Sequence, residues 1–155
     1  MSKLAIDGGK PLHTKSWRTG AFHVQEELRV LSDVLSGPAL PMARGPRVMR
    51  LREDLQACYG MRYAVPVSSG SAAIHVALFA AGVGAGDEVI VSPLTDYGSI
   101  IGIFQLNAIP VFADVLPDSI LMDGADVKKK ITCRTKAIMP VHNGGYAVDM
   151  RALNR

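Results

Sequence analysis

The chain has 155 residues, of which 48% are apolar and 20% are charged, a balance typical of one globular domain with a hydrophobic core. The net charge of +3 is small, and the densest basic run, residues 128–130, is interpreted as a solvated helix end, so no nucleic-acid partner is predicted. The N-terminus lacks the apolar stretch of a secretory signal. No segment approaches the ~20 apolar residues of a membrane span, so we expect a cytoplasmic protein without a membrane partner.

Hydrophobic periodicity predicts two helices in the first third of the chain. Residues 1–23 show no clear period and are predicted to form an irregular arm. Apolar residues at helical spacing predict helices over residues 24–35 and 48–58, joined by a loop rich in Gly and Pro. Gly60 is suited to the C-terminal cap of the second helix. Cys58 belongs to no Cys or His ligand motif and neither does Cys133, so reduced structural thiols are predicted.

From residue 63 onward, short apolar strands alternate with helices. Strands are predicted at residues 63–67, 88–91, 109–113 and 136–141, although Pro66 costs the first of them a ladder donor. Helices are predicted at residues 71–81, 97–106 and 123–131. This alternation predicts an α/β fold with a mostly parallel sheet and helices on both faces. Asp149 is predicted to cap a further helix that the sequence ends within, so we expect the domain to be incomplete.

The most chemically suggestive segment is residues 67–75, Val-Ser-Ser-Gly-Ser-Ala-Ala-Ile-His, between a predicted strand and a predicted helix. Small residues there let a phosphate approach the free N–H groups of a helix N-terminus, and Ser71 can donate its hydroxyl. A Ser-rich helix cap that binds nothing fits this segment equally well. A Walker-type loop is absent. The glycines at residues 82–86 follow a helix and precede a strand, which is the reverse of a dinucleotide fingerprint.

Four other polar residues have alternative interpretations. His142 ends a predicted strand, where open α/β sheets bind ligands, but a histidine satisfied by a loop carbonyl fits as well. His75, inside a helix of small residues, is interpreted as a packing or helix-end residue. Asp114 and Asp118 flank a turn and are interpreted as turn formers, so no metal site is predicted.

In the order of its landmarks the chain resembles the DegT/StrS sugar aminotransferases, enzymes that depend on pyridoxal phosphate (PLP) and share the type I aspartate-aminotransferase fold. The likeness spans essentially the whole chain and is carried by residues 6–11, 37–47, 68–78, 86–91, 134–142 and 149–150. It implies that residues 1–36 are an N-terminal arm and helix and that residues 37–155 are the N-terminal part of the large PLP-binding domain. The small C-terminal domain would be absent. A homodimer is implied for the complete protein.

The resemblance implies PLP as the cofactor and places its phosphate at Gly70, Ser71 and Ala72. These residues stand where the family has a Ser-Gly-Thr-Ala type of turn, and Ser71 keeps the hydroxyl of the threonine. The family usually has an aromatic residue after a threonine, stacked on the cofactor ring, whereas here Thr95 is followed by Asp96. Either Tyr97 takes over that contact or the ring is held differently, and Tyr97 is the candidate that we favour.

Two groups that PLP chemistry needs have no counterpart in the chain. The family's Schiff-base lysine, and the acid that pairs with the pyridinium nitrogen, both fall after Arg155. No catalytic residue is therefore predicted, and the chain alone is expected to be inactive and poorly stable. For the complete protein the resemblance implies transfer of an amino group, from a donor such as glutamate, to a keto-sugar that is usually nucleotide-linked. Two alternatives remain: a PLP-fold sugar dehydratase with His in place of the lysine, and a non-catalytic phosphate-binding or regulatory fragment.

Overall fold

The computed structural model describes residues 3–15, 23–37 and 45–154. By its internal contacts the chain divides into two compact units, Met1–Arg47 and Val48–Arg155, and each is described by itself. Most of the loop predicted between the first two helices lies outside the described residues. The domain boundary predicted after residue 36 remains a prediction.

Ahead of Pro46, the described residues of the first unit form one helix and one short turn. A 3-10 turn, Ala5–Asp7, forms part of the predicted irregular arm and ends at Gly8, whose φ of 88° favours glycine. Helix α1, Val24–Leu35, has the predicted bounds, and its first turn carries Glu26 and Glu27, which interact favourably with the helix dipole. Its apolar side chains share one stripe, and the last of them, Leu35, is 69% exposed.

The remaining elements follow the predicted alternation closely. They are α2 (Pro46–Tyr59), α3 (Gly70–Ala80), β1 (Glu88–Val91), α4 (Tyr97–Gln105), β2 (Ile109–Phe112), α5 (Gly124–Lys130), β3 (Thr135–Met139) and α6 (Met150–Leu153). Gly60 follows α2 with a φ of 63°, as its predicted capping role requires. No helix within the described ranges is long and apolar enough to cross a membrane.

The three strands form a parallel sheet in the order β2-β1-β3. The central strand β1 is buried on both faces, with Val89, Ile90 and Val91 fully inaccessible. Ile90 pairs with Val111 on one side and with Ile138 on the other. The predicted α/β fold with a parallel sheet is confirmed.

Alternate residues of β1 enter two separate cores. Val89 and Val91 pack with Leu78 of α3 and Ile103 of α4. Ile90 packs on the opposite face, in a cluster that also contains residues of α5 and α6. The period-two alternation of a strand thus places α3 and α4 on one face of the sheet and α5 and α6 on the other.

The strand predicted at residues 63–67 is wrong, because this segment lies outside the sheet as irregular chain. Tyr63 is 74% exposed and Val65 is 72% exposed, so no burial stabilises a ladder there. Pro66 has no amide to donate, and the carbonyl of Ala64 instead accepts a hydrogen bond from Arg52 Nε at 2.9 Å. A short apolar run is a poor guide here, because strand formation reflects burial against neighbours more than a backbone preference.

The order of the strands creates a crevice at one end of the sheet. The chain passes from β1 through α4 to β2, then through α5 across to β3 on the other side of β1. After β1 it leaves toward the face of α4, whereas after β3 it leaves toward the face of α6. Ligands of open α/β sheets bind at such switch points, beyond the carboxyl ends of the strands.

An ion pair between the buried carboxylate of Glu88 and the exposed guanidinium of Arg134 fixes the opposite end of β1. Glu88 is 4% exposed and accepts hydrogen bonds from Thr132 Oγ1 and from Arg134, whose Nε lies 2.9 Å away. These hydrogen bonds hold the pKa of Glu88 below its ordinary value. The pairing of β1 with β3 is irregular between Glu88 and Val89, so this pair ties the strands together where the ladder is interrupted.

Candidate functional site

The N-terminus of α3 presents free backbone donors. Ser69, in an extended conformation, caps the helix: its Oγ accepts from the Ala72 amide at 3.1 Å. The Ala73 amide donates to the Ser69 carbonyl at 3.0 Å. In the part of the chain that the structure describes, the amides of Gly70 and Ser71 have no acceptor. Two N–H groups and the positive end of the helix dipole therefore remain available to an anion.

A cavity of about 390 Å³ lies beside this helix end. It brings together Ser71 and Ala72 from α3 with Tyr97 from α4, three of the four residues predicted to contact the cofactor. The fourth, Gly70, is the first residue of α3, and a Cβ added to it would meet nothing within 4 Å. The Ser71 hydroxyl forms no hydrogen bond with any described residue. The remaining lining residues are Ser69, His75, Asp96, Gly98, Ile101 and Gln105.

Asp96 has a structural role that the sequence reasoning missed. It is the N-cap of α4, and its Oδ1 accepts from the Gly98 amide at 2.7 Å. An aspartate directly before a helical segment is the signal that would have revealed this cap. Tyr97 follows as the first residue of α4 and is 64% exposed. The acid in place of the family's aromatic residue is thereby accounted for, whereas stacking of Tyr97 on a ring remains a prediction.

The N-termini of α3 and α4 lie close together because Gly98 has no side chain. A Cβ on Gly98 would stand 2.8 Å from both Ser71 Oγ and Asp96 Oδ1, closer than real contacts allow. Farther along α4, a Cβ on Gly102 would lie 3.1 Å from the His75 amide nitrogen. Glycine at these two positions of α4 therefore lets the two helices approach and places the Ser71 hydroxyl beside the α4 cap.

A second cavity of about 460 Å³, here called the strand-end cavity, occupies the crevice between β1 and β3. It is lined by Leu94, Thr95, Asp96 and Ser99 after β1 and by Val141, His142, Asn143 and Gly144 after β3. Asn143 Nδ2 donates to the Leu94 carbonyl at 3.2 Å and ties the two connections together. Asp96 lines both cavities, so they adjoin at the α4 cap.

The other polar candidates are placed as follows. His142 has a hydrogen-bond partner within its own loop, but this partner is a backbone amide and not the predicted loop carbonyl. Its Nδ1 accepts from the Val148 amide at 3.0 Å. The backbone of His75 packs against Gly102, and its side chain lines the first cavity. Asp114 Oδ1 accepts from the amide of Val115 at 2.8 Å. The described residues contain no group of three or more His, Cys, Asp or Glu that could hold a metal ion.

The donor set fits the phosphate of PLP. A phosphate ester is an acceptor for several N–H and O–H donors, and the α3 terminus offers the Gly70 and Ser71 amides together with the Ser71 hydroxyl. Among the described residues that line the first cavity none is Lys or Arg. Binding there would thus depend on the backbone, the hydroxyl and the helix dipole, and Tyr97 lines the same cavity.

Comparison with known proteins agrees with this geometry. The chain is 38% identical to an L-glutamine:2-deoxy-scyllo-inosose aminotransferase of Streptomyces paromomycinus, over 97% of the chain and 37% of that protein. It is 39% identical to the spore coat polysaccharide biosynthesis protein SpsC of Bacillus subtilis, over 83% of the chain and 33% of that protein. A solved sugar aminotransferase of Streptococcus pneumoniae superposes with a TM-score of 0.79 at 31% identity, over 84% of the chain and 33% of that structure.

The chain therefore spans about a third of the length of these relatives, 37% of one and 33% of the other. The pneumococcal structure is known in a PLP form and in a pyridoxamine phosphate (PMP) form, and PLP is the cofactor of the complete protein. The profile of the DegT/DnrJ/EryC1/StrS aminotransferase family matches residues 23–155. With its parallel sheet, its open α3 terminus and this match over most of its length, the chain belongs to the DegT/DnrJ/EryC1/StrS aminotransferase family.

Proposed function

We propose that the complete protein is a PLP-dependent aminotransferase that transfers an amino group from glutamine or glutamate to a keto-sugar or a keto-cyclitol. The observation that carries this proposal is the pair of unpartnered amides at Gly70 and Ser71, at a helix end beside a cavity that is lined by Ser71 and Tyr97. The name of the Streptomyces relative supports glutamine as donor and a cyclic polyhydroxy ketone as acceptor. A nucleotide-linked keto-sugar is the other acceptor class consistent with the family.

Each residue of the site has a distinct proposed role. The Gly70 and Ser71 amides and the Ser71 hydroxyl hold the cofactor phosphate, and Ser69 fixes their direction by capping α3. Tyr97 contacts the cofactor ring. Bound PLP supplies the electron sink for amino transfer. We infer that the Schiff-base lysine and the acid that pairs with the pyridinium nitrogen lie outside these 155 residues, so the chain by itself does not catalyse. A cytoplasmic homodimer is the proposed state of the complete protein.

The experiment is an amino-transfer assay on the complete gene product, purified free of cofactor and titrated with PLP. Wild type, Ser71→Ala and Ser36→Ala are compared; Ser36 is an exposed serine at the end of α1 and serves as the matched control. Losing one hydroxyl bond to a charged phosphate costs about 1.5–3 kcal/mol, so Ser71→Ala should raise the PLP concentration for half-maximal activity by about tenfold or more.

The acceptor class is tested in the same assay with 2-deoxy-scyllo-inosose and with a nucleotide-linked keto-sugar, each with glutamine and with glutamate. Activity with one acceptor assigns the substrate class. Absence of amino transfer with every pair would reject the aminotransferase proposal. A PLP requirement that is the same in Ser71→Ala and Ser36→Ala would reject the role of the α3 terminus.

A further inference from the structure

The loop between β3 and α6 forms one wall of the strand-end cavity. It turns through Asn143–Gly145, where Gly144 and Gly145 have φ of 62° and 83°, and the Tyr146 amide donates to the Asn143 carbonyl at 3.1 Å. Glycine is required at both positions because L side chains rarely adopt such backbone angles. The loop ends at Asp149, whose Oδ1 accepts from the amides of Arg151 and Ala152 in α6.

The His142 ring closes this loop. Its Nδ1 accepts from the amide of Val148, six residues further on, at 3.0 Å. Val148 is 5% exposed, so its amide would have no solvent partner if this bond were lost. An amide donates only to an unprotonated ring nitrogen, and the hydrogen bond therefore assigns a neutral imidazole with its proton on Nε2.

The same residue connects the cavity wall to the sheet. His142, Asn143 and Gly144 line the strand-end cavity, and Asn143 is tied to the β1 connection through the Leu94 carbonyl. Beyond Val148 the chain enters α6, whose Leu153 packs in the core under the sheet. Closure by His142 thus joins a wall of the site to a helix that is held by the core.

We propose that His142 is a positioning residue that acts as a pH-sensitive latch: the neutral imidazole closes the β3–α6 loop, and protonation opens it. An imidazolium has no lone pair for the Val148 amide, because protonation turns Nδ1 from a hydrogen-bond acceptor into a second N–H donor. Asp96, on the β1 connection, is the acidic residue among those that line the strand-end cavity with His142. Tyr146 and Asp149 are the titratable residues of the loop itself. The relevance of the latch to catalysis rests on the proposed function, whereas its existence does not.

Two conservative variants separate the latch from other roles of the ring. Asparagine places its side-chain oxygen near the position of Nδ1, whereas glutamine places its amide near the position of Nε2. His142→Asn should therefore keep an acceptor for the Val148 amide at every pH, and His142→Gln should lose it. A purely space-filling role would be served at least as well by glutamine.

The test is hydrogen exchange of the full chain, read by mass spectrometry with fragmentation that resolves the Val148 amide, between pH 5 and pH 8. Rates are corrected for the intrinsic pH dependence of exchange, and the amides of β1 report whether each variant is folded. We expect wild-type Val148 to be protected at least tenfold at pH 8 and to lose that protection toward pH 5, the range in which imidazoles gain a proton. His142→Asn should stay protected throughout and His142→Gln should be unprotected throughout. Asp96→Asn should keep the pH dependence.

Several results would overturn the latch. Val148 protection that does not change with pH in the wild type, or that survives in His142→Gln, would show that the ring does not hold the loop. Loss of the pH dependence in Asp96→Asn alone would assign the titration to the carboxylate. The exchange experiment uses no ligand, so a negative result would reject the His142 latch without bearing on the phosphate site that Ser71→Ala tests.

Discussion

Gly102 determines how closely α3 and α4 pack, and substituting it tests how tight this contact between the two helices is. It is buried, and a Cβ would lie 3.1 Å from the His75 amide nitrogen, 3.2 Å from His75 Cα and 3.2 Å from Ile74 Cγ2. Two of these atoms belong to the backbone of α3, so no rotamer change relieves the contact. The two helices must separate by a few tenths of an ångström.

The expected cost follows from two opposing contributions. Alanine in place of a mid-helix glycine gains up to about 1 kcal/mol of helix propensity, whereas overpacking a tight core costs about 1–3 kcal/mol. We therefore expect Gly102→Ala to lower the free energy of unfolding by about 1 kcal/mol. Gly102→Val adds two further methyl groups and loses most of the propensity gain, so about 3 kcal/mol is expected.

The assay is urea denaturation of the chain followed by circular dichroism at 222 nm, with Gly70→Ala as the matched control. Gly70 lies at the first position of α3, where a Cβ meets nothing within 4 Å. A lower midpoint with an unchanged slope would report lost stability without a change in compactness. If Gly102→Ala proved as stable as Gly70→Ala, the two helices would have room for a Cβ at this contact, and the packing argument would be refuted.

Three further substitutions test other parts of the structure. Glu88→Gln should lower the free energy of unfolding at pH 7. Because the pKa of the Glu88 carboxyl is lowered from 4.5, the difference in stability between wild type and variant should be constant above pH 4.5 and should shrink as the pH falls through the lowered pKa. Thermal melts from pH 2.5 to 7 would show this dependence. Ile103→Ala, at a fully buried position, should cost about 2–5 kcal/mol, whereas Ile6→Ala at a 91% exposed position should change the urea midpoint little; equal losses would contradict the core assignment. Asp149→Ala should lower the free energy of unfolding by about 1 kcal/mol and speed hydrogen exchange of the α6 amides, and Asp149→Asn should restore both properties. Unchanged stability and exchange in Asp149→Ala would contradict the assignment of Asp149 as the N-cap of α6.

Elements set by local signals could be predicted from the sequence. The bounds of α1 matched because helical spacing is a local signal, and those of β1 matched because its apolar run lies buried between two neighbouring strands. The cap at Asp149 was also a local signal. The segment at residues 63–67 failed for the opposite reason, since a strand exists only where a neighbouring edge and a buried face stabilise it.

The chemistry of the site was only partly predictable. Ser71, Ala72 and Tyr97 share a cavity, which local sequence suggested through the Ser-rich turn and the family resemblance. An aspartate directly before a helical segment indicates an N-cap, so this role of Asp96 could have been predicted from the sequence. The prediction made for Asp96 concerned only the aromatic contact with the cofactor ring that it replaces. The acceptor role of His142 and the Glu88–Arg134 pair depend on contacts across 6 and 46 residues of the chain, and no local pattern encodes them.

The central claim is that the N-terminus of α3 binds the phosphate of the cofactor, and titration of the chain with PMP followed by ³¹P NMR tests it most directly. PMP has no aldehyde and cannot attach to surface lysines. We expect a saturable shift of the phosphorus signal that inorganic phosphate reverses, with a midpoint that Ser71→Ala raises by about tenfold or more and that Ser36→Ala leaves unchanged. A shift of the same size and midpoint in Ser71→Ala, or no shift in the folded wild-type chain, would contradict the assignment of this helix end as the phosphate site.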